Sequence, residues 1–310
     1  MNLVTSIPIR KHNLSSDLAR VELTVGIPCF NEESNITKLL AVISEQQRSK
    51  ALGISEIIIS DDSSDGTVRS IEEFALKNPY LNIRCLHHSS RRGVANAWNE
   101  IFQNASGHVI VLFDGDVTPD KDSIRELLSS LDRHTGLCIS NTLPAESSTI
   151  AGRASRFVST WLRLVKLNRL SQYTTIGRGL LIRTDIAKEI IIPDEIIAVD
   201  LYLQCKVLEL RKEIVYNDRS VVCFNPPKTI KDFNSQVIRS ALGHRQIDNW
   251  VDKFHIRLPF GVAFRSAWKA FVSDPVGAFS VATCYALLPY HKTKLQGAGS
   301  NLWYVAQSTK

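Results

Sequence analysis

Short apolar segments alternate with amphipathic ones over the first half of the chain, and this alternation limits the folds that the chain can adopt. The clearest apolar segment, residues 108–113, has an unbroken run that predicts a buried strand. Similar runs at 21–30, 55–60 and 82–87 are each followed by a stretch with helical spacing. Strands and helices in such alternation predict an α/β fold, with a Rossmann-like, mostly parallel sheet flanked by helices.

Acidic side chains stand where two of these strands end. Asp61 and Asp62 end the second strand, and Asp114 and Asp116 follow the apolar run at 108–113. Ligands of such sheets bind at the carboxyl ends of the strands. Two carboxylates one residue apart can hold a divalent cation, because hard cations prefer oxygen ligands and a nucleotide diphosphate can supply the others. By itself, Asp-Gly-Asp is also typical of an ordinary turn.

The ends of the first and third strands carry further candidate residues. The first strand leads through Pro28, Phe30 and Glu32 into a helix, whose free backbone donors suit a base edge or a phosphate. Arg92 and Gly93 stand before the helix that follows the third strand. Each segment also has an ordinary explanation, as a strand-to-helix turn or as solvated surface.

The order of these motifs resembles that of glycosyltransferase family 2, whose members have the GT-A fold. The segments are Pro28-x-Phe30-Asn31-Glu32, Asp61-Asp62-Ser63-Ser64-Asp65-Gly66-Thr67, Arg92-Gly93-x-x-x-Ala97-x-Asn99 and Asp114-x-Asp116. The resemblance is strong over 21–130, weaker to about 245 and faint beyond. It implies an inverting, metal-dependent transfer of a sugar from a nucleotide-diphosphate donor of the UDP type to a hydroxyl acceptor. The acceptor would be lipid-linked or part of a surface polysaccharide.

The resemblance also implies roles for individual residues. Asp114 and Asp116 would form the D-x-D motif that holds Mg²⁺ or Mn²⁺. The residues expected to contact the nucleotide sugar are Pro28, Phe30, Glu32, Asp62, Arg92, Gly93, Asp114, Arg239 and His244.

The general base of this family lies at a helix start downstream of the D-x-D motif, and Asp200 is the best match. A carboxylate there can accept the proton of an acceptor hydroxyl. Val199 stands where the family often has a preceding acid, and Asp194 and Glu195 are rival candidates. The alternative is that Asp200 only caps its helix.

A basic segment further on offers candidate phosphate contacts at Arg239, His244 and Arg245. Gln236 and Arg239 resemble the start of the Q-x-x-R-W motif of processive synthases. Ser240 stands at the tryptophan position, which argues against processive polymerisation. A solvated basic helix is the alternative interpretation.

Composition and patterning predict the organisation of the 310 residues. Residues 1–20 are expected to be a loose leader without a signal core, and 21–250 a GT-A catalytic domain. Within that domain, 21–130 would bind the nucleotide sugar and 131–250 the acceptor, and 251–310 would form a helical C-terminal appendage. The six cysteines show no paired or metal-ligand spacing, which is typical of reduced thiols and predicts a cytoplasmic protein.

The apolar stretch at 260–290 allows two interpretations. It is expected either to lie in the plane of the inner membrane surface or to pack as a helix hairpin on the catalytic domain or on a second subunit. The net charge of +6 suits an anionic ligand or a membrane surface. No motif combines aromatic and basic residues, so no nucleic-acid partner is expected. The sequence does not indicate an oligomeric state.

Two other functions fit parts of this pattern. A nucleotidyltransferase on a related fold would need a glycine-rich phosphate loop after the first strand, and residues 28–33 contain no glycine. A non-catalytic protein that binds nucleotide sugars is disfavoured by the intact pair Asp114 and Asp116. The absence of an acid at position 199 keeps that interpretation open.

Overall fold

The computed structural model of the protein describes residues 21–50, 52–173 and 177–295. The predicted leader at 1–20 and the last residues, 296–310, lie outside this range. The strands are β1 (Leu23–Cys29), β2 (Ile54–Asp61), β3 (Ile83–His87), β4 (Val109–Phe113), β5 (Val117–Pro119), β6 (Thr135–Pro144), β7 (Gly179–Arg183) and β8 (Glu213–Phe224). The helices are α1 (Ile36–Lys50), α2 (Thr67–Lys77), α3 (Val94–Asn104), α4 (Ser123–Ser129), α5 (Ile150–Lys166), α6 (Thr184–Glu189), α7 (Val199–Glu209), α8 (Ile230–Gln246), α9 (Asp248–Lys253), α10 (Phe260–Ser273), α11 (Pro275–Ala286) and α12 (Leu288–Leu295).

The described strands form a single eight-stranded sheet in the order β3-β2-β1-β4-β7-β6-β8-β5. The neighbours β3, β2, β1 and β4 are all parallel, as the alternation of strands and helices predicts. In this register Cys29 lies opposite Asp61, at the carboxyl ends of β1 and β2. The strand ends that carry the candidate acids therefore lie at one edge of the sheet.

Beyond β4 the sheet is mixed. Strand β7 runs antiparallel to both β4 and β6, whereas β8 is parallel to β6 and antiparallel to β5. Neither β5 nor β8 was predicted from the sequence. Polar residues interrupt β8 between two apolar segments, and its register with β6 shifts there: Ser140 lies opposite Asn217 but Asn141 lies opposite Val221.

The sheet is covered on both faces by apolar side chains, as expected for parallel strands between helices. On one face, α3 contributes Trp98, Ile101 and Phe102, and α7 packs beside it. The helical spacing predicted for α1 places its apolar side chains in the layer on the other face. Both layers contain residues from before and after position 130, so the two predicted halves of the catalytic domain share one core. The boundary between these halves remains a prediction.

The basic segment that carries Arg239, His244 and Arg245 lies in the first of two consecutive helices. The first, α8, ends at Gln246, and α9 begins at Asp248. Thr229 caps the start of α8: its side-chain oxygen accepts a hydrogen bond from the N–H of Asp232 at 3.1 Å.

The C-terminal helices α10 and α11 pack on the preceding part of the fold through one side. The indole N–H of Trp161 in α5 donates to the carbonyl of Ala263 at 3.1 Å. The side-chain amide of Asn234 in α8 donates to the carbonyl of Cys284 at 2.9 Å. Among the helices of the described residues, none combines the length and apolar character needed to cross a bilayer.

Glu56 in β2 is a buried carboxylate with an unusual number of donors. It accepts hydrogen bonds from the hydroxyl of Thr24 at 2.9 Å, from the N–H and hydroxyl of Ser106, both at 2.7 Å, and from the guanidinium group of Arg84 at 3.0 Å. Burial by itself would raise the pKa of Glu56, but these donors together lower it below its usual value.

Replacement of this carboxylate tests the arrangement. Glu56→Gln should lower the free energy of unfolding at neutral pH by about 2 kcal/mol, because a neutral amide cannot accept from all these donors. Since the folded pKa lies below the unfolded one, the carboxylate stabilises the fold above the unfolded pKa. That stabilisation is lost as the pH falls through the folded pKa.

The difference between wild type and Glu56→Gln in urea unfolding should therefore shrink as the pH falls from about 5 towards 3. The exposed Glu45 on α1 offers a control, and Glu45→Gln should leave stability within about 0.5 kcal/mol of wild type. An equal deficit of Glu56→Gln at neutral and acid pH would contradict this account.

Candidate active site

Asp62 joins the loops that follow β2 and β3. Its carboxylate oxygen Oδ2 accepts hydrogen bonds from the N–H groups of Arg92, at 2.6 Å, and Gly93, at 3.0 Å. Gly93 has a φ of +91°, a conformation that favours glycine. The guanidinium group of Arg92 is paired with Glu100 at 2.8 Å. Asp62, Arg92 and Gly93, which were predicted to contact the nucleotide sugar, thus bind one another.

The loop after β1 is held against the loop after β2. The N–H of Asn31 donates to the hydroxyl of Ser63 at 2.7 Å, and its side-chain oxygen accepts from the N–H of Ser64 at 2.9 Å. Asn31 has a φ of +55°, which asparagine tolerates better than most residues. Pro28 lies just before this loop, buried in β1 opposite Ser60.

Glu32 connects this loop to the segment Asp114-Gly115-Asp116. It is buried, and its N–H donates to the hydroxyl of Thr67 at 2.8 Å. A Cβ at Gly115 would lie 2.8 Å from Cγ of Glu32, so only a glycine allows this approach. Glu32 therefore lies beside the D-x-D segment, as the grouping of the motifs predicts.

The ring of Phe30 is covered by a cation from the third loop. The guanidinium carbon of Arg91 lies 4.1 Å from the centroid of the ring, within the range of a cation–π interaction. Burial lowers the pKa of Arg91. This contact links the loops after β1 and β3 directly.

Asp114 and Asp116 lie in an electrostatic environment that is rich in carboxylates. Removal from water raises the pKa of Asp114 to about 7, and the neighbouring carboxylates of Asp116 and Asp200 raise it too. Arg178 and Arg239 oppose this shift. Removal from water also raises the pKa of Asp116, and Arg178 and Arg239 oppose this shift as well. The structure thus brings Asp200 and Arg239 to the D-x-D segment across a long stretch of sequence.

Arg178 is a member of this cluster that sequence reasoning missed as a site residue. Phe113, which precedes Asp114, lies opposite Gly179 in the antiparallel pairing of β4 and β7, so Arg178 stands at the same edge. Its guanidinium carbon lies 3.7 Å from the centroid of the Phe224 ring at the end of β8. In the sequence, Arg178 was visible only as one of several basic residues between Glu146 and Asp185.

Asp200 is held at the start of α7 by backbone donors. Its Oδ2 accepts from the N–H of Gly177 at 3.1 Å, and its Oδ1 accepts from the N–H of Leu201 at 2.9 Å. A Cβ at Gly177 would lie 3.2 Å from the ring of Trp98 and 3.3 Å from Cβ of Asp200. The chain before α7 is fixed as well, because Asn99 exchanges hydrogen bonds with both backbone groups of Ile192, at 2.7 and 2.9 Å.

The rival candidates for the base lie elsewhere. The side chains of Asp194 and Glu195 are exposed, and neither enters the interactions that shift the pKa of Asp114. The backbone carbonyl of Glu195 accepts from the side-chain amide of Gln246 at 2.8 Å. Among the three candidates, only Asp200 lies in the cluster.

Helix α8 brings Arg239 to the site but leaves His244 and Arg245 exposed. Removal from water lowers the pKa of Arg239, and Asp200, Asp114 and Asp116 oppose that shift. A Cβ at Gly243 would lie 2.7 Å from Cβ of Ala198, so this glycine lets α8 approach the start of α7. Nδ1 of His244 lies 2.8 Å from the carbonyl oxygen of Ser240 on its own helix.

Lys166, at the end of α5, is a second residue that the sequence did not single out. Its side chain is buried, and its Nζ lies 5.2 Å from the centroid of the Tyr216 ring. Burial lowers the pKa of Lys166 to about 8, with Asp200 acting in the opposite direction and Arg178 in the same one. Its interaction with Asp200 places a third cation near the cluster.

The donor set at the D-x-D segment fits a hard divalent cation that is shared with a ligand. Among the described residues, no group of three or more His, Cys, Asp or Glu side chains could hold a metal ion alone. Mg²⁺ is usually held by one or two carboxylates together with substrate phosphates and water. Asp114 and Asp116 offer such an incomplete, all-oxygen set, and a cation would offset the repulsion that raises the pKa of Asp114.

Comparisons with a family model and with curated proteins both find glycosyltransferases. The sequence model described as "Glycosyl transferase family 2" matches residues 24–190. A dolichol-phosphate mannosyltransferase of Saccharomyces cerevisiae is 29% identical over 118 residues, which are 37% of this chain and 42% of that protein. The chain therefore matches less than half of the length of this relative.

Two solved structures share the fold. The mannosyltransferase PcManGT from Pyrobaculum calidifontis, in complex with GDP-Man and Mn²⁺, gives a TM-score of 0.55 at 19% identity, with 89% of this chain and 84% of that chain covered. Glucosyl-3-phosphoglycerate synthase from Mycobacterium tuberculosis, in complex with Mn²⁺, UDP and phosphoglyceric acid, gives 0.50 at 15% identity, with coverage of 79% and 82%.

The role of Asp62 as a loop anchor can be tested by hydrogen exchange. Asp62→Ala leaves two N–H groups without their acceptor, so it should cost about 2 kcal/mol of stability and speed amide exchange at Arg92 and Gly93. Asp65→Ala is a matched control, because Asp65 accepts from the N–H of Thr67 at 3.0 Å and does not contact the third loop. Unchanged exchange at Arg92 and Gly93 in Asp62→Ala would show that other contacts hold the loop.

Proposed function

The chain belongs to glycosyltransferase family 2, and from this premise we propose that it transfers a sugar from a nucleotide-diphosphate donor to a hydroxyl acceptor, with inversion at the anomeric carbon. The observation that carries this proposal is the cluster at the sheet edge. Three carboxylates (Asp114, Asp116 and Asp200) interact there with the guanidinium groups of Arg178 and Arg239. Such a cluster suits a donor whose leaving group is a polyanion.

The arginines act on the leaving group in this proposal. Negative charge grows on the diphosphate as the bond to the sugar breaks, and cationic groups at that position stabilise the transition state more than the ground state. Arg178 is held there by its stacking on Phe224, and Arg239 by the close packing of α8 on α7. A divalent cation held by Asp114 and Asp116 would supply further charge neutralisation at the diphosphate.

Asp200 is proposed as the general base. An inverting displacement needs the acceptor hydroxyl to lose its proton on the face opposite the leaving group. Asp200 interacts electrostatically with Asp114 from a different element, and its two hydrogen bonds to backbone N–H groups hold the carboxylate in place. Neither Asp194 nor Glu195 has this position.

The donor side is proposed to include the segment 28–32, with Pro28 at the end of β1 and Phe30 and Glu32 in the loop, together with Asp62, Arg92 and Gly93 on the neighbouring loops. The uridine-type nucleotide remains a prediction, because one of the two related structures contains GDP-Man and the other contains UDP. His244 remains a predicted phosphate contact, which would require its helix surface to face the bound donor.

The acceptor is proposed to be a hydroxyl group of a lipid-linked glycan, with a surface polysaccharide as the alternative. The yeast relative, which is similar to this chain over 118 residues, is named a dolichol-phosphate mannosyltransferase, and this name supports a lipid-linked acceptor. We further propose that the protein works in the cytoplasm and contacts the inner membrane surface peripherally.

Asp116→Asn tests the donor and metal site. It should weaken the binding of UDP or GDP in the presence of Mn²⁺ by at least about tenfold, or 1.4 kcal/mol, as measured by isothermal titration calorimetry. Binding without Mn²⁺ should change little. Asp120→Asn is the matched control, because Asp120 is exposed four residues further on. If Asp116→Asn bound both nucleotides with wild-type affinity in Mn²⁺, Asp116 would not be a metal ligand.

Asp200→Asn tests the base. It should lower turnover of the nucleotide sugar about 100-fold or more, because general base catalysis contributes at least this much. Nucleotide affinity should stay within about threefold, or 0.7 kcal/mol. Asp194→Asn and Glu195→Gln are matched controls that should keep their turnover. If one of the controls lost turnover while Asp200→Asn kept it, the base would lie there instead.

A further inference from the structure

Helix α10 exposes a continuous stripe of large apolar side chains. Phe260, Phe264 and Trp268 follow one another at intervals of four residues, with Phe271 completing the stripe, so they lie on one side of the helix. Phe260 is 83% exposed, Phe264 62% and Trp268 59%. The opposite side, with Ser266 and Ala270, is buried against the rest of the protein. The stripe is therefore an apolar surface that the fold of the described residues leaves uncovered.

Helix α11 extends this surface. Its side chain Phe279 is 68% exposed, and Val276 and Tyr285 are also exposed. Between α10 and α11 lies a groove of about 540 Å³, whose apolar lining includes Phe157, Phe264, Trp268, Phe271, Val281 and Tyr285. The apolar stripe and the groove together form one face, which we call the α10–α11 face.

Cationic side chains flank this face. Arg265 and Lys269 each follow a stripe residue by one position, a rotation of about 100° on the helix, and both are exposed. Lys292 on α12 is also exposed. Asp274 is the one acidic residue from 253 to 310, and its carboxylate is used to cap α11, where it accepts from the N–H of Gly277 at 2.8 Å.

We propose that the α10–α11 face docks on an anionic phospholipid bilayer, with α10 in the plane of the interface and acyl chains in the groove. An apolar stripe with flanking cations is the pattern of an in-plane amphipathic helix. The charge favours a bilayer over a second copy of this chain, because a two-fold contact through this face would bring Arg265 and Lys269 of both copies together. An anionic leaflet instead attracts these side chains.

The face is coupled to the active site. The buried Asn234, in the helix that carries Arg239, donates to the carbonyl of Cys284 in α11, and Phe233 packs with Cys284 in one buried apolar cluster. Docking would therefore hold the catalytic cluster at a fixed orientation to the lipid surface. Docking would also bring the active site close to a lipid-linked acceptor, and this part of the inference rests on the proposed function.

Vesicle co-sedimentation of the full chain tests the docking without any substrate. The protein should bind vesicles of equimolar phosphatidylcholine and phosphatidylglycerol more tightly than vesicles of phosphatidylcholine alone, and high salt should reduce the difference. The combination of Phe264→Ser, Trp268→Ser and Phe279→Ser should weaken binding at least about tenfold. Arg265→Glu with Lys269→Glu should abolish the preference for the anionic vesicles.

A matched control uses apolar side chains that are equally exposed elsewhere. Leu76 is 82% exposed and Ile191 is 71% exposed, and Leu76→Ser with Ile191→Ser should bind vesicles like wild type. Circular dichroism verifies that each variant is folded. If wild type bound neither vesicle, or if the control weakened binding as much as the triple variant, the proposal would be overturned.

Measurement of the oligomeric state distinguishes docking on a bilayer from dimerisation through the same face. A dimer in light scattering that dissociates in the triple variant, with no vesicle binding by wild type, would assign the face to a second copy and overturn the proposal. The proposed function fails by different measurements, namely absent nucleotide binding with Mn²⁺ and absent turnover. These readouts do not involve vesicles, so each failure can be recognised separately.

Discussion

The repulsion among carboxylates at the edge of the sheet is the constraint that organises this protein. Asp114 and Asp116 stand one residue apart and are partly removed from water, and the nearby carboxylate of Asp200 raises the pKa of Asp114 further. The fold offsets this charge with Arg178 and Arg239, each brought from a different element. A polyanion alone would be repelled by the acids, and a cation alone by the arginines. The cluster is therefore best suited to a cation and a diphosphate bound together.

The loops around this cluster are held by their own polar side chains. Asp62 accepts from two consecutive backbone N–H groups, and Asn31 connects the loops after β1 and β2. Polar side chains of the types that suggest ligand binding in the sequence thus also stabilise the loops of the folded protein. Because these bonds fix the loops before any ligand arrives, the carboxyl edge of the sheet is preorganised, which lowers the cost of binding.

Helix α8 connects the charge cluster to the α10–α11 face. Its middle carries Arg239 into the charge cluster, and its first half is buried against α5 and α11 through Phe233 and Asn234. The packing of α10 and α11 leaves their outer side apolar and exposed. A continuous exposed face of large apolar side chains is uncommon on a protein that works alone in water. In the proposed docking, the C-terminal helices set the orientation of the site to the lipid surface.

The sequence by itself determined the parallel half of the sheet and the positions of its acids. Buried strands and amphipathic helices carry strong local periodicity, and polar residues that end parallel strands must meet at one edge. It also indicated Asp200 and Arg239, through the resemblance of their segments to a family. Strand β8 was missed because polar residues at its register shift interrupt its pattern.

Only the tertiary structure decided which distant residues join the acids. Arg178 reaches them through the antiparallel pairing of β7 with β4, and Lys166 through the packing of α5, whereas His244 is exposed on the helix that delivers Arg239. In the sequence these are all cations in basic segments, and nothing local distinguishes them. Their interactions depend on which strands pair and on which side of a helix each residue lies. Charges interact according to their distance and their exclusion from water, and neither can be read from position along the chain.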